Sequence, residues 1–389
     1  MSMLLAGAGS TNSRGKRPLP PGAVSARTLS GHGVTEWTEF TYANGSAQRR
    51  SLLSWVGGQA GLLFAHGPYP EEIEQARRNG QVPGSYGHAA EYALAEALGQ
   101  ALDGLFTTPD LACRFFQDGG TALNTAARLA RHATGREYVA SCGYHGAGAE
   151  WVHLPNDKGI PWDFIAMHTQ FEWGDVDTMR ALAAGSAAIC VEVPPVPDDE
   201  AAAFLAACRQ ACDEGGAVFI LDEVVTGFRG SLRGMAGQTG VKPDIACYGK
   251  AIASRGRLSA IVGRRDLVES VGGEVFSSTT FGGHPEACAD GAATLRYLMA
   301  NEELYEQMNM VGSELQAGFN ALGLNCVGQP TRSVCVFPSN DEWLAWSSAM
   351  IERGVVCHRP QFVSIHHDYH DVRHTLEVAA DVLCPTVAR

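Results

Sequence analysis

No CxxC pair occurs anywhere in the 389 residues, although the chain holds 11 cysteines. A zinc site built on such pairs is therefore not supported. Scattered cysteines, odd in number, read instead as buried free thiols in a reducing compartment, the cytoplasm. No apolar stretch approaches the roughly 20 residues of a membrane span. No basic residue precedes the short apolar patch in the opening MSMLLAGAGS, so it does not read as a signal peptide. Gly7-Ala8-Gly9 has no strand before it and is no dinucleotide fingerprint. There is no internal repeat, and no low-complexity tract beyond the N-terminal arm. Basic charge is also short. The net charge is −13, which leaves no electrostatic footprint for nucleic acid and disfavours such a substrate.

What is present is an ordinary globular composition, 45% hydrophobic and 18% charged. The length suffices for two domains and a large core. Residues 1 to about 33, rich in Gly, Ser, Pro and Arg, read as a mobile arm. Trp37 to Trp55 mixes strand-like runs with a turn at Asn44-Gly45. From about residue 70 helices alternate with strands. Helices are expected at Glu91–Leu105, Thr121–Thr134 and Ala201–Glu214, and strands at Cys113–Phe116, Tyr138–Ser141, Ala187–Val193 and Val218–Leu221. Such alternation implies an α/β fold, a mostly parallel sheet with helices on both faces and sites at the carboxyl ends of its strands. Glu286 to about Ala317 reads as one long bridging helix. Beyond it a smaller α+β domain offers strands near Cys326 and at Ser333–Phe337, then helices at Glu342–Arg353 and Asp371–Leu383. The expected division is an N-terminal arm and small-domain segment over 1–55, a large domain over 56–290, and the bridge with the small domain over 291–389.

The chemistry is concentrated at the strand ends. The apolar run from Val218 stops at Asp222, and Lys250 follows 28 residues later in the small-residue stretch Tyr248-Gly249-Lys250-Ala251. A lysine to form a Schiff base and an aspartate to keep a pyridinium protonated are what pyridoxal phosphate needs. Each residue also has an ordinary reading, Asp222 as an ion pair or helix cap and Lys250 as a surface lysine. Gly119, Gly120 and Thr121 open a helix and suit a phosphate, with Asp118 or Thr121 as N-cap in the plainer reading. Tyr144 and His145 follow a strand, and an aromatic there can lie on a cofactor ring. Thr280 sits in a loop that offers hydroxyls and amides to the same phosphate. His367, His370 and His374 would share a helix face if that helix began early, but an exposed polar helix start is favoured over a metal site there.

Taken in order, these motifs resemble the class III (fold type I) pyridoxal-phosphate-dependent aminotransferases, and within them the glutamate-1-semialdehyde aminomutases. The resemblance covers roughly residues 35 to 385. It implies Lys250 as the Schiff-base lysine and Asp222 as partner of the pyridine nitrogen. Tyr144 and Val224 would sandwich the ring, with Glu192 before a proline at a strand end. Thr280 would reach the phosphate of a neighbouring subunit, which implies a homodimer with shared sites. Ser54 and Trp55 fall at substrate-pocket positions, and Arg359-Pro360-Gln361-Phe362 at a C-terminal pocket segment. Three features depart from the family. Its glycine run and proline after the lysine become Ala253-Ser254-Arg255 and Arg257. Its Ser-Gly-Ser/Thr-Glu-Ala is Asp118-Gly119-Gly120-Thr121-Ala122 in this chain, and the stretch from His145 to Gly159, which carries the family's lid, is shorter. The implied activity is amino-group transfer or migration on a primary amine or amino acid. The same pair could also serve decarboxylation, isomerisation or racemisation of an amino-acid group on a larger scaffold, such as an antibiotic precursor or modified nucleoside. A non-catalytic pyridoxal-phosphate-binding paralogue is the third reading.

Overall fold

The computed structural model describes residues 18–56, 62–80, 86–148, 151, 157–271 and 273–384. The chain divides into two compact units, one of residues 1–68 with 307–389 and the other Tyr69–Glu306. These boundaries fall later than the expected 55/56 and 290/291.

The first unit opens with β1 (Ala23–His32), β2 (Thr35–Tyr42) and β3 (Ala47–Ser54), an antiparallel meander. β1 lies inside the stretch expected to be a mobile arm. Its side chains are mostly exposed, so no apolar alternation announces it; pairing with β2 holds it. Residues 1–17, the rest of that arm, lie outside the described residues. The turn at Asn44-Gly45 forms as expected, with Gly45 at φ 81° and the Asn44 carboxamide accepting from Ser46 N at 3.0 Å.

The second unit carries β4 (Leu111–Phe116), β5 (Val139–Cys142), β6 (His168–Gln170), β7 (Ala188–Glu192), β8 (Val218–Glu223), β9 (Ile245–Tyr248) and β10 (Ser259–Arg264). They form one sheet in the order β4-β10-β9-β8-β7-β5-β6. β10 runs antiparallel to both neighbours, and the other pairs are parallel. All residues of β5, β8 and β9 are buried, which explains their unbroken apolar runs. The helix Gly119–Thr134 covers one face, its Ala126, Leu129 and Ala130 sharing a core with Ile220, Ile245 and Ile261. The helix Asp198–Gly215 connects β7 to β8. It starts on three acidic residues and ends at Gly216 with φ 68°, a left-handed stop suited to glycine.

The long helix expected over 286–317 is two helices, Pro285–Ala300 and Glu303–Ala321. Asn301 leaves helical geometry at φ −136° and ψ 51°, and its side-chain amide donates to Tyr297 O at 2.8 Å. That bond occupies a carbonyl at the helix end and stops the ladder.

The first unit resumes with β11 (Asn325–Gln329), β12 (Arg332–Val336), β13 (Val355–Val356) and β14 (Gln361–Phe362). β11, β12 and β14 make a small sheet, while β13 joins β3 in parallel. Helices Asn340–Glu352 and Tyr369–Leu383 complete it. Among the described residues no helix is long and apolar enough to cross a membrane.

Candidate active site

Six strands of the second unit end on one edge of the sheet, and most of the motif residues follow those ends. β8 closes on two adjacent carboxylates, Asp222 and Glu223, exposed to 2% and 0%. Buried charges of one sign survive only with dedicated partners. Asp222 Oδ2 lies 2.8 Å from His145 Nδ1, and Oδ1 accepts from Val224 N at 2.9 Å. The other imidazole nitrogen faces Cys142 O at 3.1 Å. Both ring nitrogens thus face oxygen atoms, and the imidazole is fixed between the strand-end carboxylate and the carbonyl.

Glu223 has different partners. It accepts from Thr226 Oγ1 at 2.5 Å, Ala236 N at 2.8 Å and Met235 N at 3.2 Å. Burial pushes its pKa up, against the pull of those bonds. It fastens the loop that follows β8 to the strand end and so fixes the course of the chain after Asp222. The sequence shows Glu223 beside Asp222 but not this role, because two of its partners are backbone amides twelve and thirteen residues on.

Val224 is the apolar floor between two glycines. A Cβ on Gly119 would lie 2.8 Å from both its methyls, and one on Gly249 would lie 3.1 Å from its Cγ1. Only glycine lets the helix start and the end of β9 close on this side chain. Lys250 follows Gly249 with φ 46°, a left-handed conformation uncommon for a residue with a side chain. Backbone strain of this kind gathers at functional sites.

After β5 the chain turns through Gly143, at φ 107°, and Gly146, at φ 97°. A Cβ on Gly146 would meet Gly120 Cα at 3.2 Å, so this loop rests on the helix start. Tyr144 N donates to Glu192 Oε2 at 3.0 Å, which gives Glu192 a part in holding the loop. The Tyr144 ring is 73% exposed. Trp151, in contact with both His145 and His168 rings at 5.2 Å and hydrogen-bonded to Asn124, is a further support not found from the sequence. The short lid stretch includes 149–150 and 152–156, which lie outside the described residues.

At the helix start the plainer reading holds for Asp118. It is the N-cap, with Oδ1 accepting from Thr121 N and Oδ2 from Thr121 Oγ1, both at 2.9 Å. The Thr121 hydroxyl expected at a phosphate is therefore committed to Asp118.

The fold thus brings together Gly119, Gly120, Thr121, Tyr144, His145, Glu192, Asp222, Val224 and Lys250 within the second unit. Thr280 is exposed in a segment that crosses β4, where a Cβ on Gly282 would sit 2.9 Å from Phe115 O. Ser54, Trp55 and Arg359 belong to the first unit. Ser54 and Trp55, expected at a substrate pocket, are buried there, exposed to 2% and 0%. The Trp55 indole stacks on His367 at 3.9 Å and donates to Thr375 Oγ1 at 2.8 Å. His367 precedes the helix Tyr369–Leu383 rather than joining its face, since Asp368 is the N-cap. Arg359 is exposed, with its guanidinium 4.5 Å above the Trp343 ring.

A parallel sheet ending in a buried aspartate, with a strained lysine after the next strand, defines the fold type I enzymes of pyridoxal phosphate. The chain fits that cofactor: Asp222 is a fixed anion for a ring nitrogen, and the glycines flanking Val224 leave room that any Cβ would fill. The class-III aminotransferase family model matches residues 197–330. The glutamate-1-semialdehyde 2,1-aminomutase of Bordetella avium (strain 197N) is 32% identical over 382 residues, 87% of each chain. An omega-transaminase from Sphaerobacter thermophilus superposes with TM-score 0.81 at 20% identity, over 98% of this chain and 94% of the other. A transaminase with PLP bound gives 0.80 at 20% identity, over the same shares. The chain belongs to the class-III aminotransferases: it is an aminotransferase or aminomutase, and its cofactor is pyridoxal phosphate.

Proposed function

We propose that the chain moves the amino group of a primary amine or amino acid, with Lys250 and Asp222 as its catalytic residues. The observation that carries this is the Asp222 carboxylate, buried at the end of β8 and held on both oxygens, with Lys250 placed after the adjoining strand β9. Pyridoxal phosphate, when bound, supplies an electron sink for the carbon next to the substrate nitrogen. Lys250 Nζ would hold the cofactor covalently, and its amine would be the group that moves a proton at that carbon. Asp222 keeps a proton on the ring nitrogen. His145 holds Asp222 in place. Val224 would support the ring, as would the Tyr144 loop that is anchored to Glu192. Backbone amides of Gly119 and Gly120 bind the phosphate, with Thr280 of a second copy completing it. Arg359 takes a substrate carboxylate.

The active form is a homodimer of the cytoplasm. Large exposed rings support a partner surface on the second unit: Phe276, Phe281 and Tyr92 are 75%, 57% and 71% exposed. Nine of the free cysteines are buried, in keeping with a reducing compartment.

The test is the visible absorption of the lysine-linked cofactor. Purified protein should show the band, Lys250→Ala should lack it, and a competent amine should bleach it. Release of a ketone then marks transamination, and recovery of an isomeric amine marks aminomutation. A band that persists in Lys250→Ala would show that another group holds the cofactor.

A further inference from the structure

We propose that Asp118 sets the cofactor preference of this site by competing with the cofactor's phosphate. The chain then gains much less from that phosphate than a chain with a neutral cap would. This rests on the proposed function, in which Gly119 and Gly120 face the phosphate.

A helix start offers a phosphate its first unpaired N–H groups and the positive end of its dipole. In this chain a carboxylate already occupies that end. Asp118 accepts the third amide of the helix, Thr121 N, and the only hydroxyl of the turn, Thr121 Oγ1, both at 2.9 Å. The carboxylate also leans over the second glycine, since a Cβ on Gly120 would lie 3.3 Å from Asp118 Oδ1. Two donors are therefore committed to an internal anion. A phosphate at Gly119–Gly120 would meet a like charge.

Asp118 is exposed to solvent, and the described carboxylates nearby add charge of the same sign. Glu192 anchors Tyr144 N, and a Cβ on Gly146 of the same loop would sit 3.2 Å from Gly120 Cα. Asp222 and Glu223 close the neighbouring strand. Against these stand His145, already bound to Asp222, and Lys250. A neutral hydroxyl at position 118 would cap the helix equally well and leave the phosphate unopposed. The carboxylate therefore contributes something a cap alone does not require: an electrostatic cost on the dianionic end of the cofactor and none on its ring.

The experiment compares pyridoxal phosphate with pyridoxal, which has the same ring and aldehyde but no phosphate. Apparent Kd values come from the growth of the Lys250-dependent band in the full-length wild type and in Asp118→Asn. The asparagine keeps an oxygen for Thr121 N and removes the charge. The phosphate preference, Kd of pyridoxal over Kd of pyridoxal phosphate, should rise about tenfold or more in the variant, the effect of a like charge within a few ångströms. Pyridoxal itself should shift less than about twofold. Added salt should narrow the gap between the proteins by screening. A preference equal in the two proteins would overturn the role of Asp118 while leaving the cofactor site intact. If neither aldehyde gives a Lys250-dependent band, the site reading itself fails and the inference falls with it.

Discussion

His367 is a residue whose ionisation the fold restrains. Its ring lies flat on Trp55, and its Nδ1 accepts from Ser364 N at 2.8 Å, a bond that a proton on that nitrogen would break. Burial pushes its pKa down from the usual 6.5 to about 3. The unfolded chain therefore takes up a proton near pH 6.5 that the folded ring refuses until about pH 3. The contribution is intact above the upper value and is lost as pH falls through the window. The slope approaches about 1.4 kcal/mol per pH unit. Urea midpoints of wild type and His367→Gln should converge as pH is lowered from about 7 to about 4. Parallel curves would show that His367 does not titrate in this window. At this scale the sequence is uneven in what it discloses. Only four lysines exist, Lys16, Lys158, Lys242 and Lys250, so one after an apolar strand stands out, as does an aspartate ending another. Trp55 and His367 do not stand out. Their contact joins residues more than 300 positions apart, and nothing local signals it.

Among the elements, the junction of the helix Gly119–Thr134 with Val224 is a tight point beside the proposed site. Gly119→Ala puts a methyl 2.8 Å from both Val224 methyls. The overpacking should cost about 1–3 kcal/mol and weaken cofactor binding. Val224→Ala removes the opposing methyls, so the double variant should recover much of the loss. A thermal-melt double-mutant cycle measures the coupling, and strict additivity would show that the two do not meet. The strands and helices of the second unit are legible because burial leaves plain apolar runs, broken by glycine at the helix ends. What stays hidden has other causes. β1 is nearly all exposed, so its strand character resides in hydrogen bonds to β2 and not in its side chains. The break at Asn301 interrupts an apolar period that would otherwise continue, through one side-chain bond to Tyr297 O. Glu223 reaches Met235 and Ala236 around a loop whose path no periodicity encodes.

As a whole molecule, the chain carries large exposed rings on its second unit, around the segment that contains Thr280. The proposed homodimer would cover such a surface. Light scattering coupled to gel filtration should give twice the 41.3 kDa of one chain. Phe276→Asp with Phe281→Asp should shift it towards the single-chain mass. A wild type that elutes as a single chain at micromolar concentration would remove the shared-site reading and the role of Thr280 with it.

The parallel pairing of β3 with β13 has a consequence in time. Leu53 pairs with Val355 and Ser54 with Val356. A ribosome adding about 5–20 residues per second needs roughly 15–60 s to span that separation. Throughout that interval β3 has an open edge, the feature most prone to pairing with the wrong chain. The second unit lies wholly between the two strands and is complete before β13 emerges. An early strand is thus finished by one made about 300 residues later, and a chain cut short before Val355 leaves β3 without the partner it was made to meet.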